Sequence, residues 1–236
     1  MNMLFTHFPL NRRLLFAFIS FSSLSIFAQY QGFRPKEFEE TLKFFYNHKN
    51  EFKKVSKGTR LNSKQIFSIV APEICEFSSI GDFFESNSLK VLYVQNGSSY
   101  ADFSIGYFQM KPSFIEKLEE EIKADRNLNF KFKKILIASK DLKSKRRERI
   151  RRLEDLNWQF KYLHLFVCVF EKKMKFLKLY NSDEIQELEF FSTAYNSGFY
   201  KQKKELEIEM NKTRFPRESA KKFNYSRVSL EFHKAL

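Results

Sequence analysis

Residues 64–79 read KQIFSIVAPEICEFSS, and the spacing of their apolar residues decides the fold. At about 100° per residue, one arc of a helix collects five apolar side chains: Ile66, Ile69, Val70, Ile74 and Phe77. Glu73 falls inside that arc, and Pro72 before it removes one backbone hydrogen bond and predicts a bend. A carboxylate on the core side of a helix is costly unless something uses it. The alternative is a rim carboxylate paired with one of the chain's 42 basic residues.

The segment after this helix combines β-prone runs with turn residues. Asn96-Gly97 separates two such runs, which predicts a small β-hairpin over residues 91–103. Pro112 suits the first position of a further helix. Between them, residues 104–112 read SIGYFQMKP and place the uncharged Gln109 among apolar side chains.

Helical patterns account for most of the remaining chain, which has 30 Phe but only 6 Gly and 5 Pro. Residues 35–56 predict a charged N-terminal helix with one apolar side, and residues 162–170 predict the centre of a buried helix. Ser182 is predicted to cap a helix that stops at Gly198. A closing helix completes a mainly α fold class with a small β-hairpin and an extra N-terminal helix.

The first 28 residues have the pattern of a secretory signal peptide. Arg12 and Arg13 precede an apolar run that ends at the small residue Ala28, and this run is short for a membrane span. We therefore expect a periplasmic or otherwise exported protein cleaved after Ala28. Ile26 is not ideal three residues before the cleavage point, so an uncleaved membrane anchor remains the alternative.

Export changes the meaning of the basic composition. Loss of the two arginines lowers the net charge of +14 by two, to +12, and such a chain meets anionic envelope polymers before nucleic acid. Residues 139–152 carry eight basic residues and two acids, and export favours a solvated helix face or mobile loop over nucleic-acid contact. Cys75 and Cys168 could pair in an oxidising compartment or remain buried thiols.

Several kinds of chemistry have no support in the sequence. His48, His164 and His233 stand far apart, so no metal-ligand spacing exists. We find no Gly-rich phosphate loop and no Ser-His-Asp pattern. The sequence therefore predicts neither a metal nor a cofactor.

Three motifs in one order resemble the lytic transglycosylases of the lysozyme-like superfamily. They are the helix with the inward Glu, then GYFQMKP at residues 106–112, then AYNSG at residues 194–198. The family's motifs are a catalytic Glu late in a helix, Gly-Leu-Met-Gln-x-x-Pro and Ala-Tyr-Asn-Ala-Gly. The chain resembles a divergent Bacteroidetes-type branch, and the resemblance covers residues 61–236, with residues 29–60 as an N-terminal helical extension.

The resemblance implies a lysozyme-like fold and a cleavage of the β-1,4 bond between MurNAc and GlcNAc in peptidoglycan. One Glu would protonate the bond and then help the sugar's own 6-hydroxyl close a 1,6-anhydro ring. Glu73 would be this catalytic residue, without a cofactor. The residues implied to bind the glycan strand are Gly106, Gln109, Tyr162, Tyr195 and Asn196.

The departures from the family pattern keep other interpretations open. Ile74 follows Glu73 where the family has Ser, whereas Glu85-Ser86 keeps that dipeptide outside the apolar arc, so Glu85 is the alternative acid. Asp102 or Asp82 as a second carboxylate would indicate a lysozyme-type muramidase that uses water. Loss of activity would leave a peptidoglycan-binding protein.

Overall fold

The structure is a computed structural model, and it describes residues 29–79, 86–177, 179, 183–217 and 219–236. The predicted signal peptide, Asp82, Glu85 and Ser182 lie outside the described residues. The first half of the chain contains helices α1 (Gln29–Phe33), α2 (Pro35–Asn47), α3 (Lys49–Ser56), α4 (Ser63–Ser79), α5 (Ser86–Asn96), α6 (Pro112–Ala124) and α7 (Arg126–Phe132), followed by a 3₁₀ helix (Lys133–Ile135). The second half contains α8 (Leu142–Glu154), α9 (Leu156–Phe176), α10 (Glu184–Ser197), α11 (Lys203–Met210), strands β1 (Thr213–Phe215) and β2 (Phe223–Asn224), and α12 (Tyr225–Lys234).

The predicted mainly α class is confirmed, but the hairpin predicted over residues 91–103 is wrong. Helix α5 runs to Asn96, and Gly97, at φ +91°, closes it by donating its N–H to the carbonyl of Tyr93 at 2.7 Å. A left-handed Gly suits a helix end as well as a hairpin turn. The fully buried Tyr93, bonded to Glu116, ties this segment into the helical core. The small antiparallel sheet is instead formed by β1 and β2, late in the chain.

Helix α4 lies at the centre of the fold. It packs against α2, α3, α10 and α12. Its predicted apolar arc is buried except for Phe77, which is half-buried. Asn62 caps the helix by accepting the N–H groups of Lys64 and Gln65. Glu73 therefore lies on a helix that other helices surround.

The single N-terminal helix predicted over residues 35–56 is divided at His48 into α2 and α3. The break allows Phe45 on α2 and Phe52 on α3 to pack against the same ring, that of Phe67 on α4. Tyr30 on α1 is fully buried and donates its hydroxyl to Glu76 on α4 at 2.7 Å. The N-terminal extension thus shares the core of the rest of the chain.

Helix α10 begins one residue later than predicted. Asp183 caps it by accepting the N–H of Gln186 at 2.8 Å. Aspartate and serine are both favoured caps, so the sequence left two neighbouring candidates. The predicted stop at Gly198 is confirmed, because this residue has φ +113° and its N–H bonds the carbonyl of Ala194.

The basic segment forms helix α8 and is only partly solvated. Arg149 is buried and makes a two-pronged ion pair with Glu119, at 2.7 and 3.1 Å. Arg152 is buried as well and donates to the carbonyl of Ile135 in the 3₁₀ helix. Two of the eight basic residues of the segment therefore anchor the helix to the core, which the sequence reading did not foresee.

Three further features bear on the sequence predictions. Cys75 is buried, Cys168 is partly buried, and both are free thiols. Among the described residues, no helix combines the length and hydropathy needed to cross a membrane. The same residues contain no group of three or more His, Cys, Asp or Glu side chains placed to hold a metal ion.

Candidate active-site cleft

A cleft of about 690 Å³ brings together parts of all three motifs. Glu73 and Glu76 contribute one wall from helix α4, and the segment from Gln109 to Lys111 contributes another. Further parts of the lining come from residues 195–198, at the end of helix α10 and just after it, and from residues 215–217, at the end of strand β1 and just after it. The volume lies within the range of about 300–1,000 Å³ that is typical of ligand sites.

Glu73 is partly exposed at the surface of this cleft. Asn196, from the third motif, places its Nδ2 3.5 Å from Oε1 of Glu73. Burial raises the pKa of Glu73 to about 7, although the Asn196 contact and the charges of Arg217 and Lys111 act in the opposite direction. A carboxyl group with this pKa can both give and take a proton near neutral pH.

Two buried tyrosines connect elements that surround the cleft. The hydroxyl of Tyr195 donates to the carbonyl of Phe108 at 2.6 Å, which joins the third motif to the second. The hydroxyl of Tyr225 donates to the carbonyl of Ile69 on α4 at 2.9 Å. Burial raises the pKa of both tyrosines, and the nearby Glu73 adds to the effect. Both hydroxyls therefore stay protonated, and their hydrogen bonds fix the relative positions of the elements around the cleft.

The second motif forms a tight loop. Ile105 and Met110 exchange two backbone hydrogen bonds, of 3.0 and 3.2 Å, and this bridge closes a turn of four residues between them. Gly106 and Gln109 occupy the left-handed region, at φ +72° and +47°. Gln109 donates Nε2 to the carbonyl of Gly106 at 2.8 Å, so part of its amide stabilises the loop that presents it to the cleft.

Gly106 has a packing role that the sequence did not indicate. A Cβ at this position would overlap Nε2 of Gln159 and lie 2.8 Å from the carbonyl oxygen of Leu153. Gln159 is fully buried, accepts the N–H of Phe108 and donates to Leu153, at 2.8 Å in each case. Because Gly106 has no Cβ, the loop can approach helix α9. Gly106 faces Gln159 and does not line the cleft.

Asp102 lies in the cleft but is already engaged. Its two oxygens accept the N–H and the hydroxyl of Ser113, at 3.0 and 2.7 Å, and Lys111 lies 3.9 Å away. These bonds cap the start of helix α6. The structural duty of Asp102 makes it a poor candidate for the residue that directs a water molecule.

The remaining predicted residues divide into two groups. Tyr162 is fully buried in helix α9 and packs against Trp158, so it belongs to the core and does not line the cleft. The alternative carboxylates Glu85 and Asp82 lie outside the described residues. The structure therefore assembles Glu73, Asp102, Gln109, Tyr195 and Asn196 in one place.

Sequence reasoning missed several residues of the cleft. Arg217 and Lys111 bring positive charge near Glu73. Tyr200, which is about half exposed, lines the cleft with Lys117 4.2 Å from its ring centre. Lys111 stands within the second motif and Tyr200 two residues after the third, and both could have been singled out for that reason. Arg217 follows strand β1, which no sequence pattern had identified.

The raised pKa of Glu73 leads us to predict how the free energy of unfolding depends on pH. Folding raises this pKa from 4.5 to about 7, so the folded state binds the proton more tightly. The contribution of this bound proton to the free energy of unfolding is complete below about pH 4.5 and is lost as the pH rises through 7. Glu73→Gln should therefore be more stable than the wild type by about 1–2 kcal/mol at pH 8, after allowance for solvent screening.

Denaturant unfolding of both proteins at pH 8 and pH 4.5 tests this prediction. Most of the difference in the free energy of unfolding should disappear at the lower pH, because Glu73 is then protonated in the folded state and about half protonated in the unfolded state. A difference that does not change with pH would contradict the assignment of the raised pKa to Glu73.

The arrangement can donate a proton to an ether oxygen and hold a polar chain beside it. The proton comes from Glu73, Asn196 contacts one carboxyl oxygen, and the cleft offers both polar and aromatic surface.

No family model, curated protein or solved structure matches this chain.

Proposed function

We propose that this chain is a peptidoglycan lytic transglycosylase that cleaves the β-1,4 bond between MurNAc and GlcNAc. One observation carries the proposal: Glu73, with its pKa raised to about 7, lies beside Asn196 of the third motif in a cleft that Gln109 of the second motif also lines. Three sequence segments that resemble one enzyme family thus line one cleft.

The proposed reaction uses Glu73 twice. Its proton moves to the glycosidic oxygen as the bond from that oxygen to the MurNAc anomeric carbon breaks, and the GlcNAc hydroxyl leaves. The Glu73 carboxylate then accepts the proton of the MurNAc 6-hydroxyl while that oxygen bonds to the anomeric carbon. The products are a free GlcNAc end and a 1,6-anhydro ring, and no water is consumed.

A muramidase is the second candidate, because Asp102 lines the same cleft. Hydrolysis by two carboxyl groups needs one of them to act as nucleophile or to activate water. Both oxygens of Asp102 accept hydrogen bonds from Ser113, and this favours the mechanism with one carboxyl group. A binding protein without activity is the third candidate.

Digestion of purified sacculi and analysis of the soluble fragments distinguish the three candidates. A transglycosylase releases fragments with 1,6-anhydro ends, and a muramidase releases fragments with reducing ends. A binding protein releases nothing and is recovered with the sacculi. Only the first result agrees with the proposal.

The positive charge makes a separate prediction about attachment to the wall. The expected exported chain carries a net charge of +12, so its affinity for sacculi bearing anionic polymers should fall several-fold as salt rises from about 50 to 500 mM. Co-sedimentation at graded salt measures this effect. Chitin, an uncharged glycan, is the control and should show little dependence on salt, and salt-independent binding to sacculi would mean that the basic residues are not the attachment.

A further inference from the structure

A second cavity, of about 520 Å³, adjoins the cleft. Asn196, Ser197, Phe215 and Arg217 line both cavities, so the two share a wall. The second cavity continues between the end of helix α10, the end of α11 and the small sheet. A substituent on a chain held in the cleft can therefore reach it.

This basic cavity carries an excess of positive charge. Its described lining residues include one carboxylate, Glu209, and five cations: Lys201, Lys212, Arg214, Arg217 and Lys222. Three of these cations lie 2.6 to 3.4 Å from the Glu209 oxygens. One carboxylate cannot balance three cations, and Arg217 and Lys222 add further charge. The cavity therefore attracts an anion.

The wall of the cavity also contains a polar group without a partner. Thr193 is 4% exposed, and its hydroxyl makes no hydrogen bond with the described part of the chain. Nearly all buried polar groups in folded proteins are hydrogen-bonded, so this hydroxyl has a hydrogen-bonding capacity that the described residues leave unused.

We propose that the basic cavity binds the peptide stem of peptidoglycan, and that the enzyme prefers stem-bearing strands over bare glycan. This inference rests on the proposed function. In a stem-bearing strand the lactyl carboxyl of MurNAc is bound in the amide to the stem, so the sugars are uncharged and the backbone itself gives no reason for five cations. The stem carries carboxylates, and it branches from the MurNAc whose bond Glu73 cleaves. Arg217, shared by both cavities, marks the point where the stem would leave the cleft.

Equilibrium binding tests the preference, with Glu73→Gln as background so that no cleavage occurs. Three probes are used: tetrasaccharide fragments with peptide stems, the same fragments after an amidase has removed the stems and left one lactyl carboxylate on each MurNAc, and uncharged chitotetraose, which should bind no more tightly than the amidase product. Stem-bearing fragments should bind about tenfold more tightly, a difference of about 1.4 kcal/mol. Equal dissociation constants would overturn the inference and leave the proposed glycan cleft intact.

Charge-matched variants locate the effect. Lys212→Met with Arg214→Gln removes two exposed cations from the cavity, and the stem preference should fall below about threefold. Lys203→Met with Lys204→Met removes the same charge from exposed positions on α11 that do not line the cavity, and the preference should remain. An unchanged preference in the first variant would overturn the inference.

Competition identifies the ligand chemistry. Free stem peptide should displace the stem-bearing fragment, whereas inorganic phosphate at the same concentration should not. Equal displacement by phosphate would indicate a general anion site and would overturn the assignment to the stem. If neither glycan fragment binds, the transglycosylase proposal fails by itself, and direct titration with the free peptide then decides the ligand of the cavity, with no binding as the contrary result.

Discussion

Glu73→Gln is expected to lower the rate of fragment release from sacculi by at least about 10²–10⁴-fold. Glutamine keeps the size of the side chain and can still contact Asn196, but it cannot deliver a proton to the glycosidic oxygen. The affinity for glycan fragments should change little, so the loss should appear in kcat and leave KM nearly constant. Steady-state kinetics on a soluble glycan substrate measure both quantities.

Two control variants give this result its meaning. Glu76→Gln changes a second carboxylate of the same cleft, but Glu76 accepts the hydroxyl of Tyr30 and pairs with Arg34 at 3.3 Å. It should lower stability more than the catalytic rate. Glu85→Gln tests the alternative acid and should keep most of the activity. If Glu85→Gln loses activity while Glu73→Gln keeps it, the catalytic helix has been misassigned.

Gly106→Ala should destabilise the protein by about 2–5 kcal/mol, and activity should fall with it. The new Cβ would overlap the side chain of Gln159 and approach the Leu153 carbonyl to 2.8 Å. A left-handed φ of +72° adds strain that glycine does not have. Relief of the clash would shift the loop that carries Gln109 into the cleft. Chemical denaturation measures the loss of stability.

The chain offers two matched glycines that separate these causes. Gly58 has nearly the same φ, +73°, but its nearest neighbour would be the flexible tip of Lys131 at 3.9 Å, so Gly58→Ala should cost only about 1–2 kcal/mol. Gly32 has open space around it, and Gly32→Ala should change stability by less than about 1 kcal/mol. If all three substitutions cost the same, the packing against Gln159 is not the cause.

Much of the helical fold could be predicted because period and caps are local. The apolar arc of α4, the buried centre of α9, and the ends of α4 and α10 at Asn62 and Gly198 all follow from spacing and from residue type. The hairpin prediction failed for a physical reason. Asn-Gly supplies a left-handed turn in either setting, and the tertiary bonds of Tyr93 select the helix.

The candidate site could be predicted only in part. Glu73, Gln109 and Asn196 could be identified from the sequence, because each belongs to a recognisable local pattern and the three patterns occur in the family's order. The buried amide of Gln159, and the position of Arg217 near Glu73, depend on long-range packing that leaves no periodic signal. Tyr162 was assigned to the glycan by resemblance alone, and its burial against Trp158 shows the limit of such transfer.

The central claim is that Glu73 catalyses cleavage of the glycosidic bond without consuming water. Digestion of sacculi in water labelled with heavy oxygen, followed by mass spectrometry of the fragments, tests it most directly. The proposed mechanism predicts MurNAc ends that carry no label and weigh one water less than hydrolysed ends. Incorporation of one labelled oxygen at each new MurNAc end would contradict it and would assign the chain to the muramidases.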